Sequence, residues 1–172
     1  MNKSSHHPLL TMIVVLLLFA SLFPAARSAS ADTGLHDVGV GAAPNEVAVN
    51  PVTNKIYVVN RDSNSVTVID GASNTTTTVG SVNPGPIAVN PVTNNIYIVH
   101  PSSDYVTVID GASNAKHFVE VEMRPNAIAV NPVTNQIYVA HAGSSNVTVI
   151  DGANHTTTTV ATAGTNLYAI AV

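Results

Sequence analysis

A segment of twelve residues occurs three times in this chain, and it constrains the fold more than any other feature. It reads VNPVTNKIYVVN at residues 49–60, VNPVTNNIYIVH at residues 89–100 and VNPVTNQIYVAH at residues 130–141. The spacing of about 40 residues indicates that one supersecondary unit is repeated along the chain. The repeat therefore determines the architecture, and the fold has to be explained one unit at a time.

Each unit has the pattern of four short strands joined by three turns. An apolar run leads into NPVTN, a turn signal, and then into a run such as IYVV that is rich in aromatic and β-branched residues. A polar loop, the run VTVID, an Asp-Gly turn and a Thr-rich or apolar run complete the unit. Four antiparallel strands in about 40 residues are typical of a β-propeller blade. The sequence therefore predicts an all-β propeller with three complete blades.

The repeat also predicts where the blades begin and end. The three blades are expected at about residues 46–81, 86–121 and 127–161, within a repeat domain of residues 32–172. Residues 35–41 match the last strand of a blade and residues 167–172 match the first, so both are expected to be partial strands. Three blades leave the ring incomplete, since propellers typically have 4–8. Two interpretations stay open: a fragment of a longer propeller, or a homo-oligomer in which two chains share a ring of six or seven blades.

The N-terminal residues 1–31 have the features of a secretory signal peptide. Lys3 supplies a positive charge, residues 9–23 form an apolar run of about 15 residues, and Ala29-Ser30-Ala31 resembles a cleavage signal. The run is short for a membrane span, which needs about 20 residues. The sequence predicts cleavage after Ala31 and an exported protein, located in the periplasm, outside the cell or on its surface, with no stable membrane insertion after cleavage.

Composition excludes some partners and some chemistry. The chain has no Cys, so it has neither disulfides nor thiolate metal sites. Two of its six basic residues lie in the signal, which leaves four basic residues beside ten acidic ones and a net charge of −6. The basic surface that duplex nucleic acid requires is therefore not expected. The partner predicted instead is a protein or a small-molecule ligand of unknown identity.

The unit PNEVAVNPVTNKIYVVNRDSNSVTVIDGASN resembles the YVTN repeat of exported bacterial and archaeal β-propellers. The nearest match to the naming motif is Tyr57-Val58-Val59-Asn60, whereas the second and third copies end in His100 and His141. The resemblance extends over about residues 35–172 and implies a propeller of repeated blades. It implies no particular activity, because propellers of this kind serve different purposes.

Motifs for common catalytic chemistry are missing from the sequence. It contains no glycine-rich phosphate loop and no Gly-x-Ser-x-Gly nucleophile elbow. His100 and His141 occupy equivalent positions, but Asn60 at the matching place in the first unit is a poor third ligand for a catalytic zinc. The recurrent Asp-Gly pairs are typical of turns. We therefore predict no catalytic residues, no metal site and no cofactor.

Three classes of function remain open. The favoured one is a non-enzymatic, exported binding or interaction scaffold. An enzyme with a site in the central channel, as in lactonase-type propellers, is the second, and a structural repeat protein of the cell surface is the third. A channel site needs several carboxylate, Asn or His ligands, and the matching positions hold only one carboxylate: Glu46, Pro86, Ala127 and Ala169.

Comparison of the chain with itself predicts which face binds. The turns NPVTN and DGASN are nearly copied from unit to unit and should lie on one face, because successive strands run in opposite directions. The loops after the second strand and the links between units differ and should lie on the other face. Binding residues usually lie on loops held by a rigid scaffold. The predicted binding residues are Arg61, Asp62, Asn64, His100, Asp104, Tyr105, Arg124 and His141.

Overall fold

The computed structural model describes residues 37–164 and 166–172. These residues contain twelve strands, in which the β-branched and aromatic runs of the sequence lie. They are β1 Pro44–Asn50, β2 Lys55–Asn60, β3 Ser65–Asp70, β4 Thr76–Gly80, β5 Ile87–Asn90, β6 Asn95–Val99, β7 Tyr105–Asp110, β8 Lys116–Glu120, β9 Pro125–Asn131, β10 Gln136–His141, β11 Asn146–Asp151 and β12 Thr157–Ala161. No helix among the described residues is long and apolar enough to cross a membrane.

The strands form three four-stranded antiparallel sheets, each in sequence order, which we call blades 1, 2 and 3. Blade 1 consists of β1–β4, blade 2 of β5–β8 and blade 3 of β9–β12. The first strands β1, β5 and β9 lie beside one another and form the inner side of the array. The predicted fold class is confirmed, and the ring of blades is not closed.

The core lies between the blades because each middle strand is apolar on both sides. One cluster joins blades 1 and 2 and includes the buried Tyr57, Val66 and Ile98. The second cluster joins blades 2 and 3 and includes the buried Tyr97 and Val106, with Ile137 and Val139 opposite. The outer strands are mostly exposed, which suits their threonines because Thr combines β-propensity with a solvated hydroxyl.

The copied turns are stabilised by their own side chains. In the NPVTN turn of blade 1, the Asn50 Oδ1 accepts hydrogen bonds from the amides of Val52 (3.0 Å) and Thr53 (3.3 Å), and Asn54 has a positive φ of 52°. Asn tolerates this left-handed conformation better than most residues do. The turn that begins at Asp70 packs against the NPVTN turn, since the Gly71 amide donates to the Asn54 carbonyl at 2.8 Å. The two copied turns therefore share one face, as predicted.

The two predicted partial strands differ from the structure. Residues 37–41 and 166–172 form no strand, while residues 35 and 36 lie outside the described part. A strand needs a neighbour that accepts and donates its backbone hydrogen bonds. Within the described residues neither segment is paired with a strand of the three sheets, so the sequence match alone does not produce a strand. The predicted signal peptide, residues 1–31, also lies outside the described residues.

Candidate functional site

The variable loops and the links between blades share the second face of the array. The amide of Ser81, at the start of the link from blade 1 to blade 2, donates to the Asn64 carbonyl at 2.8 Å. The amide of Asn83 donates to the Asn64 Oδ1 at 2.7 Å. In blade 3, the Ala142 amide donates to the Arg124 carbonyl at 2.9 Å. Each link is thus tied to a loop of a neighbouring strand pair, and we call this side of the molecule the variable face.

One cleft on the variable face lies on blade 2. It has a volume of about 700 Å³ and is lined by Ser103, Asp104, Tyr105, Phe118, Glu120 and Val121. Tyr105 and Phe118 form an edge-to-face pair with ring centroids 5.1 Å apart, and Phe118 is 64% exposed. Edge-to-face packing is a favoured geometry for two aromatic rings. We call this feature the aromatic cleft.

A smaller cleft extends from the aromatic cleft to blade 1. It has a volume of about 260 Å³ and is bordered by Asn64 on blade 1 and by Tyr105, Lys116 and Phe118 on blade 2. The Lys116 ammonium donates to the Gly80 carbonyl of blade 1 at 2.6 Å. This hydrogen bond therefore connects β8, the outer strand of blade 2, with β4, the outer strand of blade 1.

A third cleft of about 500 Å³ lies between blades 2 and 3. Its lining includes Glu122, Arg124 and Gly143. Both carboxylate oxygens of Glu122 accept from the Asn146 Nδ2 at 3.0 Å, which fixes this carboxylate against blade 3. Arg124 has a positive φ of 57°, a conformation that is uncommon for residues other than Gly, Asn and Asp.

His100 and His141, two of the predicted binding residues, are buried and serve the scaffold. His100 is 1% exposed, and its Nδ1 donates to the Val82 carbonyl at 2.7 Å while its Nε2 accepts from the Thr107 hydroxyl at 2.7 Å. The equivalent His141 pairs with the Met123 carbonyl at 3.2 Å and with the Thr148 hydroxyl at 2.9 Å. Both ring nitrogens of each imidazole are occupied, so neither ring offers a free nitrogen to a ligand.

Burial also affects the protonation of these imidazoles. Desolvation lowers the pKa of His100 below its ordinary value of 6.5, and the hydrogen bond to the Val82 carbonyl opposes that shift. The pKa of His141 is lowered for the same main reason and is raised in part by Met123 and Glu122. Asn60, the equivalent residue of blade 1, uses its Nδ2 to donate to Thr67 at 2.9 Å. The last residue of the repeated segment therefore forms a buried hydrogen bond to a Thr of the next strand, which we call the latch. His forms it in two blades and Asn forms it in one.

The structure distributes the other predicted residues over the variable face. Asp104 and Tyr105 lie together in the aromatic cleft, and the Tyr105 ring is tilted by 41° against the His100 ring at a centroid distance of 4.6 Å. Asn64 reaches the smaller cleft and Arg124 the third one. Arg61 and Asp62 are exposed in the loop of blade 1 and line none of these three clefts.

Sequence reasoning missed Phe118 and Glu120, which line the aromatic cleft. They lie in the outer strand β8, whereas the predicted binding residues come from the variable loops, the links and the adjoining strand ends. A signal existed: this strand reads KHFVE in blade 2, whereas the equivalent strands of blades 1 and 3 read TTTVG and TTTVA. In blade 2 an aromatic residue and charged residues therefore replace the threonines of the outer strand.

The described residues contain no group of three or more His, Asp or Glu side chains that could hold a metal ion. Asp70 and Asp110 instead serve their turns: the Oδ1 of Asp110 accepts from the Ser113 amide at 2.7 Å. Hydrogen bonds from the following turn residues lower the pKa of both carboxyl groups.

No family model and no curated protein matches the sequence. Several solved structures match the fold. A chain of hydrazine synthase from Kuenenia stuttgartiensis matches with a TM-score of 0.68 and 24% identity, over 80% of this chain and 41% of that one. Apo AztD from Citrobacter koseri matches with a TM-score of 0.65 and 16% identity, over 77% of this chain and 38% of that one. A streptogramin B lyase matches with a TM-score of 0.65 and 8% identity, over 76% of this chain and 45% of that one.

At these identities the similarity shows the fold and not the function. The chain spans about two-fifths of the length of these three structures. The neighbours include enzymes, and the fold is shared by proteins with different activities. The three sheets and these neighbours together show that the chain has a β-propeller fold.

Proposed function

We propose that this chain is a non-enzymatic, exported binding scaffold of the YVTN-repeat kind and that the aromatic cleft is its main contact site. The observation that carries the proposal is the exposed Phe118, packed edge-to-face on Tyr105 in a cleft of the variable face. An exposed aromatic ring costs free energy in water, and clustered apolar surface on a soluble protein commonly marks an interaction site.

The chemistry of the cleft favours a ligand that carries a positive charge on an apolar stem. Two carboxylates, Asp104 and Glu120, stand beside the two aromatic rings. A cation over an aromatic face gains about 0.5–2 kcal/mol, and a nearby carboxylate adds a charge-assisted hydrogen bond. A Lys or Arg side chain in an exposed peptide segment has both the stem and the charge, so the proposed ligand is a basic peptide segment.

Arg124 lies at the third cleft of the variable face. Its positive φ is shared by the equivalent residues Ala43 and Asn83, so this backbone conformation belongs to the repeated link before each blade. We propose that Arg124 contacts an acidic part of the same partner, with Arg61, Asp62 and Asn64 at the rim of the contact.

The test is selection from a displayed library of random peptides with the purified chain as bait. We expect the recovered peptides to be enriched in Lys or Arg next to apolar residues, and we expect Y105A or F118A to weaken their binding at least tenfold. The matched control combines T53A and S113A on the copied turns and should bind like the unmodified chain. No enrichment, or equal losses in the cleft variants and in the control, would refute the proposal.

A further inference from the structure

The two joints between blades use the same hydrogen bond. Between blades 1 and 2, the Asn50 Nδ2 donates to the Asn94 Oδ1 at 2.9 Å. Between blades 2 and 3, the Asn90 Nδ2 donates to the Asn135 Oδ1 at 2.8 Å. The donor is the first Asn of the NPVTN turn in one blade and the acceptor is the last Asn of that turn in the next blade. Both donor residues are fully buried, so each bond is part of a packed joint.

The end blades hold one half of this joint each. Asn131 of blade 3 is equivalent to Asn50 and Asn90, but it is only half-buried, and within the described residues its Nδ2 has no acceptor. Asn54 of blade 1 is equivalent to Asn94 and Asn135, and it is exposed. The described array therefore ends in a donor on one side and an acceptor on the other.

The apolar faces beside these residues are complementary in the same sense. The face that each blade turns toward the next carries Val79 in blade 1 and Val119 in blade 2, which are 6% and 5% exposed. The equivalent Val160 on blade 3 is 48% exposed. We define the leading face of blade 3 by the residues on that side of the sheet: Tyr138, Ala140, Val147, Val149 and Val160.

Blade 1 presents the opposite kind of face. In blade 2 this face packs on blade 1 through a set that includes Val89, Ile96 and Ile98. In blade 1 no described strand packs on it, and Val47 and Val49 are 61% and 53% exposed. We define the trailing face of blade 1 by the equivalent residues: Val47, Val49, Ile56, Val58 and Ile69.

We infer that a second copy of this chain covers these faces, with the leading face of blade 3 packed on the trailing face of blade 1 of the other copy. The contact continues the interface that already joins blades 1 to 2 and 2 to 3, and it places the Asn131 Nδ2 against the Asn54 Oδ1 of the second copy. Propellers have about 4–8 blades. Two copies of the described array bring six blades together, a number within that range, and a two-fold axis would relate the two copies.

The first experiment determines the mass and the direction of the contact. Light scattering after size exclusion should give twice the mass of one chain. Because the chain has no Cys, the variants N54C and N131C each carry a single thiol. A short bis-maleimide should cross-link the two chains when N54C and N131C are mixed, and should cross-link neither variant alone. A monomer, a broad distribution of aggregates, or cross-linking of either variant alone would overturn the inference.

The second experiment tests the hydrogen-bonded joint itself. The double variant N54D/N131D keeps the turn acceptor of Asn131 but places two carboxylates against each other across the contact. We expect its dimer dissociation constant to rise at least tenfold, with an unchanged circular dichroism spectrum. The control N74D/N154D makes the same change in charge at two exposed turn residues and should dimerise like the unmodified chain. Equal dissociation constants for N54D/N131D and for the unmodified chain would refute the role of this pair.

Discussion

The buried imidazoles of His100 and His141 should make the stability of the fold depend on pH near neutrality. Burial lowers the pKa of both groups below 6.5, so the folded chain keeps them neutral where the unfolded chain begins to protonate them. The unfolded state then binds more protons than the folded state. The free energy of unfolding should therefore be constant above about pH 7.5 and should fall as the pH drops below 6.5, until the pKa of the folded state is reached.

The size of this dependence follows from proton linkage. One group that is protonated only in the unfolded state changes the free energy of unfolding by about 1.4 kcal/mol per pH unit. Two such groups give a slope of up to about 2.7 kcal/mol per pH unit in the window below pH 6.5. Asp70 and Asp110, whose pKa values are lowered from 3.8, do not contribute above pH 5 because they are ionised in both states there.

The assay is urea unfolding at a fixed protein concentration between pH 5 and pH 8. The matched control is H100N/H141N, which installs the residue that blade 1 uses at the equivalent position. Asn does not titrate, and the structure shows that Asn60 keeps the bond to the following Thr. His155, whose pKa is also lowered by burial and by the nearby His117, remains in both proteins. Equal slopes for the two proteins below pH 6.5 would refute the assignment of the latch to neutral imidazoles.

Three further predictions test the packing and the N-terminus. G111A should destabilise the fold by about 1–3 kcal/mol in urea unfolding, because the added Cβ would lie 2.6 Å from the Asn94 carbonyl oxygen, whereas G80A has no atom within 4 Å and should change little. I98A should cost about 2–5 kcal/mol because Ile98 is fully buried between two blades, and V133A, at a residue that is 92% exposed, should stay within about 0.5 kcal/mol. N-terminal sequencing of the exported protein should begin at Asp32, and a product that retains residues 9–23 would contradict the signal peptide.

The repeat made the architecture predictable. Comparison of the three units position by position separates the residues that every blade needs in order to fold from the residues that occur in one blade only. NPVTN and the Asp-Gly turn were predicted to share a face, and the bond from the Gly71 amide to the Asn54 carbonyl confirms it. The partial strands were not predictable in this way, because a strand depends on a neighbour as well as on its own letters.

Comparison of the three units predicted the candidate site less well than the fold. A difference between units does not reveal whether a side chain faces solvent or the core. His100 replaces Asn60 and Asp104 replaces Asn64, yet His100 is buried and Asp104 is exposed. The direction of each side chain depends on the register of the strands, which places Tyr105 opposite Glu120 and sets Phe118 on the same side of the sheet.

The two faces of the array have different roles, and this difference explains why some residues are repeated in every blade and others vary. The NPVTN turn provides the Asn that closes each turn and the Asn that joins each blade to the next, so a change there affects both folding and stacking. On the variable face, the link residue Asn83 also connects blades 1 and 2, since its amide donates to the Asn64 Oδ1 at 2.7 Å and its Nδ2 donates to the Ser102 hydroxyl at 2.9 Å. The loop residues there nevertheless differ between blades, and those of blade 2 line the aromatic cleft. Because the proposed joint between copies lies on the copied face and the aromatic cleft on the other, dimerisation leaves the cleft open. The variant N54D/N131D should therefore lose the dimer but keep its affinity for a basic peptide.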